Sequence, residues 1–600
     1  MRIARLCIDN FRGISHATLI LPKHGVLIGD NNTGKTTVLE ALDLALGPDR
    51  LNRVPPISEH DFYNGLYFNR RPAIEAGPPR MLAPADEIAE PPRIKIEAVI
   101  VDLSLEQRAR FGDYIEFWDS AANKLYDMPN PAGVDPAYDE EEDDFEGRTY
   151  FSRSLTEAAR PEQFSRKDKQ LCGFLYLRTV RTGSRALSLE RGSLLDVILR
   201  LREVRPQMWE NTLGTLSGMT VASDPALGIS PVLESINTAL NKYVPKEWGV
   251  EPHLKVSDLT REHLRKVVTA FIATGDGHHA APFYRQGTGT INMLVLAMLS
   301  QIAESRQNVI FAMEEPETAI PPYAQKRIVH EVRKLASQTL FTSHSPYVLE
   351  EFTTDDTLVL ARDAQGMLTQ RKIELPENVK PKRYRQEFRT VFCEGLLARR
   401  ILIAEGPTEA SAFPVACRRL AELNPDAYLS LEALGICTVV DASGEKNVSG
   451  LAKLYSGLGK RTFAICDRQD GDNEAKIKAE VELLLMHEEK GFEDLVVKGT
   501  THATLKRFAR QIDWPPHILK NYPDPTAKLV DALGEYFVWS KGTDGIADFL
   551  AQCHEAEMPA WIKEAATSLK NACVPPPPQA RHAASEDESA HREANVDAPD

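Results

Sequence analysis

Gly29-Asp30-Asn31-Asn32-Thr33-Gly34-Lys35-Thr36 stands directly after the apolar run Gly25-Val26-Leu27-Ile28 and directly before Thr37-Val38-Leu39-Glu40-Ala41-Leu42. Strand, glycine loop and helix start thus occur in the order that a phosphate-binding loop requires. Its glycines let backbone amides approach phosphate oxygens, and the helix N-terminus adds positive potential. Lys35 reaches the terminal phosphates and Thr36 can ligate magnesium, so ATP and Mg2+ (or Mn2+) are the expected cofactors. The nucleotide-binding set expected here is Asn31, Gly34, Lys35, Thr36 and Thr37, with Thr36 on the metal. A chance glycine turn would not come with both the strand and the helix.

A nucleoside triphosphatase also needs acids at the end of a buried strand, one for the metal and one for the attacking water. Val309–Met313 followed by Glu314-Glu315-Pro316-Glu317 supplies both. Glu314 is expected in the magnesium shell and Glu315 at the water. A further apolar run ends at Ser343-His344-Ser345-Pro346, placing His344 where a γ-phosphate sensor would sit. Upstream of the loop, Ile3, Leu6 and Ile8 alternate loosely and Ala17–Leu21 reads as a second strand. From residue 309 onward, short apolar runs alternate with amphipathic helices: Val309–Met313, Thr339–Ser343, Arg400–Ala404, Thr438–Val440 and Thr462–Cys466. That alternation predicts an α/β fold with parallel sheets.

Two of these later runs end in acids. Arg400–Ala404 leads into Glu405-Gly406-Pro407-Thr408-Glu409, and Phe463–Cys466 leads into Asp467-Arg468-Gln469-Asp470. Carboxylates at the C-terminal ends of neighbouring parallel strands converge in the crevice where open α/β sheets bind ligands. Hard divalent ions want such oxygens, and a pair of ions can clamp the attacking and leaving oxygens of a phosphodiester displacement.

Composition sets the frame. The chain has 600 residues, 42% hydrophobic and 26% charged, with 35 Gly and 39 Pro. This excludes collagen-like, wholly disordered and disulfide-scaffold classes. The net charge is −15, but Asp139–Glu146 carries seven acids and no base, and residues 574–600 carry six acids against two Arg. A near-neutral body remains, able to hold local basic surface, so net charge does not exclude a nucleic-acid partner. Run 139–146 is expected to be a solvated loop and residues 574–600 a disordered acidic tail. The eight cysteines show no metal or redox spacing and read as reduced thiols. No apolar stretch is long enough to span a bilayer, so no membrane partner and a cytoplasmic location are expected. Residues 155–260 read as mostly helical, with Leu194–Arg202 the clearest helix. The basic stretches around Arg178, Arg181, Arg185 and Arg191, and Lys380–Arg385, are candidate DNA-binding surface or solvated faces.

Ile8-Asp9-Asn10-Phe11-Arg12-Gly13, the GDNNTGKTT loop, the FAMEEPE strand end and the TSHSP turn together resemble the ATP-binding-cassette heads of structural-maintenance-of-chromosomes and recombination-mediator ATPases. In those families a glycine signature from one protomer covers the γ-phosphate held by the other. Arg285-Gln286-Gly287-Thr288-Gly289-Thr290 looks like that signature, which implies Gly287 and Gly289 as nucleotide contacts and a homodimer or higher homo-oligomer. About 280 residues separate the glycine loop from the acidic strand end, so a domain is inserted. The Glu405 and Asp467 strand ends, with VDASGEKNVSGLAKL between them, resemble the Toprim domain of topoisomerases, primases and certain nucleases. Glu405 and Asp467 match that family's acids; position 469 is Gln where the second Asp stands, with Asp470 just beyond.

A cassette ATPase followed by Toprim is the architecture of the OLD family nucleases, which the chain resembles as far as about residue 560. The resemblance implies a head of residues 1–154 and 261–395, an inserted helical dimerisation region 155–260, and a Toprim domain 396–565. It implies catalytic roles for Glu405, Lys541 and Glu315, and metal ligands among Glu405, Glu409, Asp467, Asp470 and Glu493. The function implied is a metal-dependent DNA endonuclease or nickase regulated by ATP. The chain also resembles the nuclease subunit of Gabija anti-phage systems, implying a helicase-like partner and a defence role. The alternative is a non-cleaving, ATP-driven DNA-binding dimer, because Gln469 breaks the acidic pair. Topoisomerase strand passage would need a tyrosine nucleophile, and no tyrosine stands out.

Overall fold

The structure is a computed structural model that describes residues 1–48, 56–67, 92–125, 162–177, 193–201, 205–218, 230–240, 260–268, 280–287, 309–318, 320–376, 389–542 and 545–574, with short pieces between them. Contacts divide the chain into two units, Met1–Glu374 and Leu375–Asp600.

In the first unit the strands are β1 (Arg2–Phe11), β2 (Ile14–Ile20), β3 (His24–Ile28), β4 (Lys95–Val101), β5 (Phe174–Leu177), β6 (Ile310–Glu314), β7 (Gln338–Thr342), β8 (Thr357–Arg362) and β9 (Met367–Arg371). They form one sheet in the order β4-β1-β2-β9-β8-β3-β7-β6-β5. The block β8-β3-β7-β6-β5 is parallel throughout. Its inner strands are buried on both faces, which is why they read as unbroken apolar runs. β1 pairs antiparallel with β2 and β4 and alternates because only one face is fully covered. Helix α1 (Lys35–Leu46) leaves the end of β3 and packs Val38, Leu39 and Leu42 into the core. Gln338, fully buried, donates to the carbonyls of Ile3 (2.8 Å) and Pro22 (2.9 Å) and ties the start of β7 to the N-terminal strands.

Three expectations are corrected here. Phe174–Leu177, assigned to the inserted region, pairs parallel with β6 and is an edge strand of the large sheet, because its apolar residues satisfy that edge. The acidic run is not simply a loop: Ala137–Asp139 and Asp144–Glu146 pair antiparallel, with Tyr138 opposite Phe145. Residues 375–376 and 389–395, placed with the head, cluster with the second unit, where Phe392, Cys393 and Leu396 are buried and Phe392 lies against Tyr455. Between the halves of the head, helices cover Leu194–Leu201, Arg205–Gly218 and Ser230–Leu240, with Trp209 buried beside Leu264 and Arg265. The four arginines 178, 181, 185 and 191, the basic stretch 380–385, Gly289 and the tail 575–600 lie outside the described residues.

The second unit is a parallel sheet, β11-β10-β12-β13, formed by β10 (Arg400–Ala404), β11 (Ile436–Asp441), β12 (Arg461–Cys466) and β13 (Leu483–Met486). Helices α2 (Pro407–Leu423), α3 (Glu445–Gly457), α4 (Gly471–Lys478) and α5 (Phe492–Gly499) follow the four strands in turn, α2 after β10 and α5 after β13. Phe413, Leu420, Phe463, Phe492, Phe537 and Phe549 fill its core. Among the described residues, no helix is long and apolar enough to cross a membrane.

Candidate active site

In the first unit the parallel block brings three strand ends together. β3 lies beside β7, and β7 beside β6, so the loop after Ile28, the turn at Ser343-His344 and the acids at 314–317 share one edge. Gly34 has φ 114°, a conformation that favours glycine, and α1 begins without any side-chain cap. The first-turn amides of Lys35, Thr36 and Thr37 therefore face outward from the helix start, as an anion site requires. The Lys35 Nζ is buried inside the loop and donates to the carbonyls of Gly29 (2.8 Å) and Asp30 (3.0 Å). Asn31 and Thr36 are exposed at the loop, and Thr37 is half-buried.

Glu314 ends β6, is 7% exposed, and accepts the hydroxyl of Tyr176 from β5. Glu315 follows with φ 42°, backbone strain of the kind found at functional sites, and its amide donates to Thr342 O at 2.9 Å. His344 lies in the field of both Lys35 and Glu315; burial first, and then the Lys35 ammonium, hold its pKa below the usual histidine value. Glu317 was quoted in the sequence without a role. Its carboxylate accepts from Ser343 Oγ (2.9 Å) and the His344 amide (2.7 Å), and so fixes the histidine turn against the acidic strand end. Gly287 is exposed, with open space around it.

In the second unit the register decides the site. Ala404 pairs with Ile465 and Cys466 with Met486, so Glu405, Asp467 and His487 each stand one residue past a strand end, on adjacent strands. Glu405 Oε2 accepts from the Asp467 amide (3.1 Å) and from Gln469 Nε2 (2.8 Å). Glu409, in the first turn of α2, joins Asp467 and His487 with ligand atoms all within 4.8 Å of one another. At Gly406 an added Cβ would approach Glu409 Oε2 at 3.1 Å, so the bare backbone makes room for the carboxylate. Glu493, buried at the start of α5, accepts from Thr408 Oγ1 (2.9 Å) and pairs with Lys541 Nζ (2.9 Å). That ion pair is the first cause of a raised Lys541 pKa, and the ammonium also feels Glu409 and Asp467.

Asp470, expected on the metal, is instead exposed and caps α4 through the Asn473 amide at 2.7 Å. The position of the second acid belongs to Gln469, which is buried and acts as a hydrogen-bond donor to Glu405. His487 was missed by the sequence reading. The signal was present: Leu483-Leu484-Leu485-Met486 is an apolar run ending in a polar ligand type, as the runs before Glu405 and Asp467 are.

The donor set fits a divalent cation. Asp467 Oδ1 and both ring nitrogens of His487 are buried without hydrogen-bond partners. Burial raises Glu409 to about 7, helped by the charges of Asp467, Glu493 and Glu405, despite its place at a helix N-terminus. Glu405 is raised by burial and by Asp467. A bound cation reverses this repulsion.

This repulsion has a measurable sign. Glu409 sits near 7 in the native chain against an ordinary value of 4.5, so its stabilising proton is fully held below about 4.5 and is lost as pH rises through 7. Glu409→Gln should therefore raise the metal-free melting temperature of this unit at pH 8 by roughly 5 °C, leave it little changed at pH 5, and shrink the increment produced by Mn2+. Thermal melts of the full chain across this range check it; equal melting of variant and wild type at pH 8 would contradict it.

A glycine-loop ATPase head and a four-stranded Toprim site with gathered acids define the class, an ATPase joined to a Toprim domain. Residues 1–94 and 229–349 match the family model described as AAA ATPase domain, and residues 396–468 match that described as Overcoming lysogenization defect protein-like, TOPRIM domain. The Old nuclease of Escherichia phage P2 is 19% identical over 497 residues, covering 78% of this chain and 77% of that protein. Among solved structures, the C-terminal region of the Burkholderia pseudomallei OLD protein is 18% identical, covers 30% of this chain and 99% of that chain, and has a TM-score of 0.22. The SMC head domain from Thermotoga maritima is 12% identical over 62% of this chain and 100% of that chain, with a TM-score of 0.28. The chain thus joins an AAA ATPase domain to an OLD-like Toprim domain and is similar to an Old nuclease over most of its length. It is accordingly a nucleotide-binding protein whose Toprim domain uses a divalent metal.

Proposed function

We propose that this protein is a metal-dependent DNA endonuclease or nickase whose Toprim site does the cutting and whose ATPase head regulates it, in anti-phage defence or DNA processing. The observation that carries the reading is the gathering of Glu409, Asp467 and His487, with ligand atoms within 4.8 Å of one another and Asp467 Oδ1 buried without a hydrogen-bond partner, beside Glu405 at the neighbouring strand end. When bound, a divalent ion supplies Lewis-acid polarisation of the scissile phosphate and a more acidic water. Glu409 and Asp467 would hold the ion. Glu405, with its raised pKa and its orientation fixed by Gln469 and the Asp467 amide, takes the proton of the attacking water. Glu493 holds Lys541 beside the same acids, where its ammonium can meet charge developing on the phosphate.

In the head, Lys35, Thr36, Thr37, Gly34 and Asn31 hold ATP, Glu314 completes the Mg2+ shell, Glu315 orients water and His344 senses the γ-phosphate. Gly287 and Gly289 of a second copy close the nucleotide in a homodimer. The head would comprise residues 1–154 and 261–374 together with the strand 174–177, the Toprim domain 396–565.

The test is supercoiled plasmid with Mg2+ or Mn2+, with and without ATP: nicked or linear product is expected. The buried Gln469 at the second acid position favours the non-cleaving DNA-binding reading, and a gel shift without cleavage under every metal and nucleotide condition would establish it instead. Lys541→Met should lower the cutting rate by roughly a hundredfold while leaving Mn2+ affinity unchanged. Rates by gel and affinity by calorimetry separate the two, and a variant that cuts at the wild-type rate removes Lys541 from the reaction.

A further inference from the structure

We infer that His487 is a direct metal ligand of the Toprim site, so that Glu409, Asp467 and His487 form a mixed carboxylate–imidazole centre that takes Mn2+ in preference to Mg2+. The inference rests on the metal-dependent reading and names the ligand that replaces the second acid. Three observations lead to it. His487 follows β13 directly, and the β12–β13 register sets it opposite Asp467. Its side chain is 1% exposed, and its Nε2 lies 3.0 Å from Asp467 Oδ1. The two atoms are within ion-pair distance, yet neither has a hydrogen-bond partner, and Nδ1 has none either.

A buried imidazole facing a carboxylate without hydrogen-bonding to it is costly unless something between them binds both. Glu409 closes the third side, since its carboxylate, Asp467 and His487 are all within 4.8 Å of one another. The ring is also held rigidly. Trp561 packs on it edge-on at 5.1 Å and Phe492 at 6.2 Å, while the Trp561 indole donates to Met486 O at 3.1 Å and anchors the strand end. Imidazole nitrogen suits the first-row transition ions, whereas Mg2+ prefers an all-oxygen shell. The exchange of an acid at position 469 for a neutral amide, and the arrival of a nitrogen ligand from β13, thus move the preference in the same direction.

The probe is Mn2+ alone, added to nucleotide-free full-length protein and read by electron spin echo envelope modulation. The wild type is expected to show a nitrogen coupling that changes frequency when the protein is grown with 15N-histidine. His487→Ala should abolish the coupling and weaken Mn2+ binding at least roughly tenfold. Competition should show Mg2+ displacing Mn2+ poorly from the wild type and more readily from the variant. His487→Gln serves the same purpose if the alanine variant does not fold. Mn2+ that binds without an isotope-sensitive coupling, or a coupling that survives both substitutions, overturns the inference and leaves the nuclease reading standing. Protein that binds no Mn2+ at all overturns both.

Discussion

Glu405→Ala leaves supercoiled plasmid uncut under conditions in which the wild type nicks or linearises it, a loss of at least roughly a thousandfold, or about 4 kcal/mol of barrier. The size follows from what the carboxylate does at the end of the central strand β10. It is the acceptor for the Asp467 amide and the Gln469 side chain, so its removal frees the segment that carries Asp467. It is also the group whose pKa burial and the Asp467 charge raise, which makes it a better proton acceptor than an ordinary carboxylate. Glu405→Gln divides the two roles, since an amide oxygen still accepts the hydrogen bonds but takes no proton. Both variants should melt near the wild type, and either one cutting plasmid at the wild-type rate would remove Glu405 from the chemistry.

Lys35→Ala abolishes ATP hydrolysis, with a fall of at least roughly a hundredfold, while plasmid cutting persists. The ammonium is buried in the loop and held by the Gly29 and Asp30 carbonyls, beside the helix start to which the proposed function assigns the terminal phosphates. It also contributes to keeping His344 below its usual pKa, so alanine removes both a phosphate contact and a field on the neighbouring imidazole. Phosphate release and plasmid gels on the same preparation measure the two activities together. Cutting that disappears in step with ATP turnover would show that the head drives the reaction rather than governs it.

Much of this was legible beforehand because buried parallel strands leave a strong mark. The run before the glycine loop, the run before Glu314 and the run before Glu405 are apolar on both faces and end abruptly in polar residues, so their position and their chemistry could be read at once. Phe174–Leu177 was misplaced because four apolar residues in a basic, helix-rich stretch carry no periodicity of their own; only the free edge of β6 makes them a strand. Asp470 was overvalued because sequence spacing cannot show that a carboxylate is spent on capping a helix. Glu317 and His487 were passed over for a different reason. Their importance lies in partners about 26 and 20 positions away, Ser343 and Asp467, and pairing of that kind exists only once the strands are side by side.

The order of strands in the large sheet bears on how this chain is made. β3, which carries the glycine loop, has neighbours on both sides that come late: His24 of β3 meets Thr339 of β7, 315 positions further on. At a synthesis rate of roughly 5–20 residues per second, the strand leaves the ribosome roughly 15 to 60 s before either neighbour exists. Through that interval an apolar segment with two bare edges must be kept from pairing with other nascent copies, which makes the N-terminal third of this polypeptide a natural client for chaperones. A gene fragment stopping at residue 154 would hold that segment in the same exposed state permanently, and its product should collect in inclusion bodies.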